Sequence, residues 1–339
     1  MEQKVAFVTG ATGLLGNNLV RLLLDRGWTV KALARSQEKA SKQFEGLEVE
    51  VIQGDMTNVQ RFASTLQGVT TVFHTAAYFR ESFLGGSHWK ALHAANVLGT
   101  RNLLEAAYAA GVRKFVQTSS IAVLNGPRGA VIDETMLRPE NDGDDYYRSK
   151  ILADKEVNSF LASHPDFFAV FVLPGWMHGP GDFGPTQAGQ TILDFVNRKL
   201  PGIPPGTVSV VDARDVALAM IASFERGTRG ERYLSAGRNM DMKGVFSELQ
   251  EVTGVPAPHR KLPLFMLYIV AAIQELRARL TKAPALLSWA TVRLMVRENG
   301  RSTFSDRKLR EELSVQFRPV QETLRDEVTW YRDHGWINA

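Results

Sequence analysis

Cysteine is absent from the 339-residue chain. Its absence excludes disulfides, thiolate zinc sites and a cysteine nucleophile, and permits a reducing compartment without demanding one. No leader is expected either. Met1-Glu2-Gln3-Lys4 passes directly into strand-like sequence, with no room for a basic segment and an apolar signal core, so a cytoplasmic location is expected. Nor is there a long hydrophobic run. The nearest to one, Leu262 to Ile273, contains Pro263 and is closed by Gln274-Glu275, and its twelve residues fall short of a bilayer core of about 30 Å. A buried or pocket-lining helix is the first expectation there. The second is a helix lying on a membrane surface, with Arg277, Arg279 and Lys282 toward headgroups. Charge is not concentrated in a stripe either. The net charge is +4 and the basic residues are scattered without a recognised binding module, so nucleic acid is not an expected partner. From Val255 onward fourteen Lys/Arg stand against nine Asp/Glu. That excess reads as a solvated helical surface or as a cationic wall facing an anionic substrate.

What is present is an alternation. Val5–Thr9, Thr29–Ala34, Leu47–Gln53, Thr71–His74, Lys114–Thr118 and Phe168–Leu173 are short apolar runs that predict strands. Between them lie stretches with apolar spacing of three and four, such as Leu14, Leu15, Leu19, Leu22 and Leu23. Gly27 and Gly111 stand where helix C-caps are expected. Strands separated by helices imply βαβ crossovers and therefore an α/β fold, an open Rossmann-type doubly wound parallel sheet over residues 1–173. Beyond Leu173 prolines and glycines cut the chain into short pieces. A strand and helix return at about 207–235, and the tail reads as helical. Residues 174–206 and 236–339 are thus expected to form a smaller, mainly helical substrate domain.

Two motifs carry chemistry. Thr9-Gly10-Ala11-Thr12-Gly13-Leu14-Leu15-Gly16 joins the first strand to the first helix. A sharp turn into a helix, with glycine where a side chain would block approach, offers backbone N–H groups to a phosphate. The spacing G-x-x-G-x-x-G differs from the G-x-G-x-x-G dinucleotide fingerprint. Tyr146 and Lys150, in Tyr146-Tyr147-Arg148-Ser149-Lys150, are four apart and share a helix face. A free tyrosine, with a pKa of about 10, is a poor acid-base group near neutrality, and a nearby ammonium would favour tyrosinate. Tyr147 has Ile151 at the fourth position instead, so it is assigned to packing or substrate contact. His74, without a carboxylate or second ligand nearby in sequence, is assigned a structural role. No metal site is expected.

Together, in this order, these motifs resemble the extended short-chain dehydrogenase/reductase superfamily, which includes the NAD-dependent epimerases and dehydratases, the dihydroflavonol reductases and the 3β-hydroxysteroid-type enzymes. The resemblance implies a nicotinamide cofactor held by Gly10, Thr12, Gly13, Leu14 and Leu15, with Asp55 and Met56 at the adenine, and Ala76 and Ala77 close to the cofactor. Lys150 would bond the nicotinamide ribose, and Pro174 would lie near the carboxamide. Ala34 stands where NAD-binding members carry an acid, and Arg35 follows it, a residue suited to a 2′-phosphate. NADP(H) is therefore expected over NAD(H). Tyr146 would be the proton donor or base, and Ser120, with Ser119 as fallback, would polarise the substrate oxygen. Asn96 would support backbone geometry or a water relay. Leu173 replaces the superfamily's usual Arg before Pro174. The connection Ile121 to Asp145 is long enough to border a substrate. The expected activity is carbonyl reduction, or the reverse oxidation, on a largely apolar small molecule. A nucleotide-sugar epimerase or dehydratase and a non-catalytic cofactor sensor are the alternatives, and a homodimer is allowed.

Overall fold

In the computed structural model, residues 4–79, 88–281 and 288–337 are described. The first half alternates as its periodicity predicts: β1 (Val5–Thr9), α1 (Leu14–Asp25), β2 (Thr29–Ala34), α2 (Gln37–Gln43), β3 (Val49–Gln53) and β4 (Thr71–His74). A short helix α3 (Trp89–Leu92) runs through a π-turn (His93–Leu98) into α4 (Gly99–Ala109), followed by β5 (Lys114–Thr118), α5 (Asp145–Ser163) and β6 (Phe168–Pro174). The remaining strands are β7 (Trp176–His178), β8 (Thr207–Asp212), β9 (Arg232–Ser235) and β10 (Arg238–Asp241). The remaining helices are α6 (Gln187–Val196), α7 (Ala213–Arg226), α8 (Met242–Thr253), α9 (Leu264–Thr281), α10 (Trp289–Glu298), α11 (Arg307–Leu313) and α12 (Val320–Asp333). Gly27 and Gly111, both at positive φ, follow α1 and α4 by two residues.

The main sheet has strand order β3-β2-β1-β4-β5-β6-β9, every pair parallel. Its inner strands are buried on both faces, which is why they read as continuous apolar runs. On one face Leu15, Leu19 and Leu23 of α1 pack with Val216, Met220 and Ile221 of α7. On the other, Leu103 and Leu104 of α4 and Val157 and Leu161 of α5 cover Phe7, Phe115 and Phe171. The order reverses between β1 and β4, so a crevice opens at the carboxyl ends of these strands. The returning segment splits. β9 joins the edge of the main sheet, whereas β8 belongs to a separate sheet of order β10-β8-β7. That sheet packs with α6, α8 and α12 around Phe195, Phe246, Leu324 and Tyr331.

The long connection after β5 is stitched down along its length. Leu124 bridges Leu137, Ile132 pairs with Phe304, and the Gly129 N–H donates to the Gly300 carbonyl at 2.7 Å. The segment expected to be a buried helix is α9, but only one side of it is covered. Leu267 and Ala271 are buried against Val292, while Phe265, Ile269, Ile273 and Leu276 are exposed. Among the described residues no helix is long and apolar enough to cross a membrane.

Candidate active site

The crevice begins where β1 reverses into α1. Gly10 has φ +63°, and a Cβ on it would lie 2.7 Å from the Ala76 Cα. A Cβ on Gly16 would meet the Gly10 carbonyl oxygen at 2.2 Å, so glycine there lets the helix seat on its own turn. Gly13 is different. It is exposed, and the nearest atom to an added Cβ is the Gly10 oxygen at 3.3 Å. It caps α1 without a side chain, and no acid stands in the first turn. The backbone at Leu14 and Leu15 therefore opens α1 at the positive end of its dipole, with both side chains buried beneath. Thr12 completes the turn, its carbonyl accepting the Gln43 amide at 3.4 Å. The residues fit a pyrophosphate: an exposed glycine opens a helix whose first N–H groups have no side-chain cap and no acid beside them.

Neighbouring strand ends extend this edge. Arg35, just past β2, is exposed and has no ion pair or hydrogen bond among the described residues. Ser36 caps α2, its oxygen accepting the Lys39 N–H at 3.3 Å. Asp55 lies past β3, and its Oδ1 accepts the Thr57 N–H at 2.8 Å and the Thr57 hydroxyl at 2.6 Å, so one carboxylate oxygen serves as a cap. Met56 is buried beside it, with its carbonyl against Gly99. Ala76 and Ala77 follow β4, and Pro174 is the buried last residue of β6.

A directed hydrogen-bond chain runs beneath the edge. The Thr100 hydroxyl donates to the Asn96 carbonyl at 2.7 Å, so it accepts from His74 Nε2 at 3.0 Å. His74 Nδ1 then accepts the Thr9 hydroxyl at 2.7 Å, and Thr9 accepts the Ala76 N–H at 3.1 Å. One neutral tautomer satisfies every member. Burial, with the charge of Lys150 second, pushes the His74 pKa down to about 3, which keeps the ring neutral. His74 is thus structural. Asn96, in the π-turn, reaches further: its Oδ1 accepts the Tyr78 N–H at 2.7 Å, and its Nδ2 donates to the Tyr78 carbonyl and the Ser149 hydroxyl.

Tyr146 enters from the first turn of α5. Asp144 caps that helix by accepting the Tyr147 N–H at 2.8 Å, which fixes where the turn begins. The Tyr146 phenol is hydrogen-bonded by Ser120 and stacked edge-on by Phe79 at 4.8 Å. Ser119 points elsewhere, donating to Asp154 at 2.7 Å, so geometry brings Ser120 and not Ser119 to the tyrosine. Lys150 is buried, and its ammonium donates to the Thr118 carbonyl at 3.0 Å. Burial lowers its pKa to about 8, and the Asp154 carboxylate opposes the fall. Tyr146 moves the other way from the sequence expectation. Burial lifts the phenol well above its ordinary value, against the Ser120 hydrogen bond, because desolvation of a phenolate outweighs one neutral donor. Tyr147 packs with its ring under the Arg138 guanidinium, 4.8 Å away.

Two residues that tie the site together were not singled out in the sequence. Asp154 is one turn beyond Lys150, a spacing that marks it as a candidate partner. Arg138 gave no such signal. It is buried, donates to the carbonyls of Ala122 and Leu124, and pairs with Glu298 at 2.8 Å across 160 residues of chain. Part of the expected cationic wall is neutralised. Arg297 pairs with Asp142 and Glu298, Lys308 with Glu231, Arg310 with Asp306 and Arg318 with Asp215. Among the described residues no cluster of carboxylate and imidazole groups is arranged to hold a metal.

Phosphate-accepting backbone at the switch point, with a half-buried phenol and a buried lysine beyond it, places the protein among the nicotinamide-dependent oxidoreductases. The chain belongs to the NAD-dependent epimerase/dehydratase family, whose model matches residues 6–235, within the extended short-chain dehydrogenase/reductases. It is 34% identical to sterol demethylase protein B of Methylococcus capsulatus over 97% of this chain and 99% of that one. It is 32% identical to a putative dihydroflavonol 4-reductase of Synechocystis over 98% and 96% of the two chains. Among solved structures, that of a protein designated gox2253 is 34% identical and superposes with a TM-score of 0.82 over 99% of this chain and 100% of that one.

Proposed function

We propose that the protein is an NADP(H)-dependent reductase of a ketone or aldehyde on a largely apolar small molecule, with oxidation of the alcohol as the reverse reaction. The observation that carries this reading is the half-buried Tyr146 phenol, hydrogen-bonded by Ser120 and walled by Phe79. A bound nicotinamide supplies a hydride to a carbonyl carbon or accepts one from the alcohol. The Ser120 hydroxyl donates to the substrate oxygen, and Tyr146 delivers the proton to it. Because burial raises the phenol's pKa, Tyr146 is protonated at neutral pH, the form that reduction requires. Lys150 holds the ribose, and Gly10, Thr12, Gly13, Leu14 and Leu15 cradle the pyrophosphate. Asp55 and Met56 meet the adenine, while Ala76, Ala77 and Pro174 line the nicotinamide side. The substrate lies between this edge and the part formed by 174–206 and 236–339.

NADP(H) preference rests on Arg35, an exposed guanidinium at the end of β2 with no partner among the described residues. The relatives support the substrate class: their names speak of a sterol and of a dihydroflavonol. The test is made in one cuvette. With apolar ketones or aldehydes, absorbance of NADPH should fall in step with alcohol formed. Flat absorbance while a sugar nucleotide is converted would overturn the reading in favour of an epimerase. Arg35→Asp should weaken NADPH binding by calorimetry and leave NADH nearly unchanged.

A further inference from the structure

We propose that α9 is a membrane-surface contact, its open face docking on a bilayer that carries anionic phospholipid. Its first ten residues, Leu264 to Ile273, are apolar on every side, and Gln274, Glu275 and Arg277 follow. Its inner side is accounted for by Leu267 and Ala271 against Val292. On the opposite side Phe265 is 65% exposed, Ile269 54%, Ile273 61% and Leu276 60%. These four recur at steps of four, four and three residues, which is one continuous stripe along the helix. Leu264 and Met266 widen its first turn. Eighteen residues extend for about 27 Å, enough to lie flat in an interface over five turns.

Charge selects lipid as the occupant. His259, Arg260 and Lys261 are exposed immediately before the helix, and Arg293 is exposed on α10 beside it. Most basic residues farther along the chain are paired with carboxylates, but Arg260, Lys261 and Arg293 have no ion pair among the described residues. Arg260 and His259 also line a hollow of about 370 Å³ with Arg198, Pro201, Pro256 and Pro258, and no carboxylate contributes to that lining. Unpaired cations bordering an exposed apolar stripe form the pattern of an interfacial helix on anionic headgroups. Of the cations the sequence suggested for this role, Arg277 is exposed, while Lys282 and the Arg279 side chain lie outside the described residues. This inference stands on α9 and its rim and is independent of the substrate reading.

The experiment is sedimentation of the full-length protein with vesicles of phosphatidylcholine alone or with roughly one-third phosphatidylglycerol. The expected result is capture by the anionic vesicles, reduced by high salt. Ile269→Gln with Ile273→Gln should weaken capture at least about tenfold. Arg260→Gln with Lys261→Gln should weaken it about fivefold for each cation removed. All four positions are exposed, so circular dichroism melts should match the parent. Three results would overturn the proposal: no capture, equal capture by neutral vesicles that the Arg260/Lys261 pair does not change, or a dimer in sedimentation velocity that the Ile269/Ile273 pair splits without any vesicle binding. The last would make the face a contact between copies of this chain.

Discussion

At the scale of single residues, the site separates groups that hold a proton from groups that hold geometry. Tyr146 and Tyr147 are adjacent half-buried phenols, both pushed up by desolvation, yet only Tyr146 receives the Ser120 hydroxyl. Tyr146→Phe should therefore lower turnover by about 10²- to 10⁴-fold with cofactor affinity retained, since one acid-base group is removed and the ring kept. Tyr147→Phe should remain active. Comparable turnover by the two variants, with chemistry limiting, would remove Tyr146 from its role. The pH dependence follows from Lys150. Its pKa is lowered to about 8, so the ammonium is present below that pH and lost above it. Activity should fall on a basic limb near pH 8. Asp154 is the carboxylate that opposes the fall, and burial raises its own pKa to about 6, so it is charged where Lys150 titrates. Asp154→Asn should move the limb to lower pH. A limb that stays in place would show that Lys150 does not set it.

At the scale of elements, the residue that closes the site comes from a connection and not from a helix or strand. Arg138 holds the Ala122 and Leu124 carbonyls, covers the Tyr147 ring and meets Glu298 at the end of α10. Its side chain is 2% exposed, so removing the cation leaves the Ala122 and Leu124 carbonyls without their donor and Glu298 with Arg297 as its remaining cation. Arg138→Met should cost about 3–5 kcal/mol of stability, read as a lower urea midpoint. An unchanged midpoint would mean that water reaches Glu298 and replaces the pair. The π-turn is a second such element. It widens the helix at the point where Asn96 spans Tyr78 and Ser149, joining the loop after β4 to the helix that carries Tyr146.

At the scale of the whole molecule, the parallel sheet was readable because burial on both faces leaves little choice of residue, so β1, β2, β4 and β5 are bounded as their apolar runs predict. The glycine turn was readable for a related reason: a left-handed φ at Gly10 and the close approach at Gly16 admit no side chain, and such constraints mark the sequence directly. Tyr146 and Lys150 were legible because one helix sets their spacing. The rest depends on distance across the fold. Nothing local distinguishes Ser120 from Ser119; only the seating of α5 against β5 turns one hydroxyl to Tyr146 and the other to Asp154. Nothing local gives Arg138 its partner 160 residues away, or sends β8 and β9 to different sheets. The open face of α9 was equally hidden, since apolar residues all round a helix do not say which side the neighbouring helix will cover. The sequence alone determined what the backbone and a single element impose, the dinucleotide turn, the sheet and the Tyr–Lys spacing. The tertiary structure decided what needs two distant elements in contact: which serine faces Tyr146, which way burial shifts the phenol and the lysine, and which apolar surface is left to meet something else.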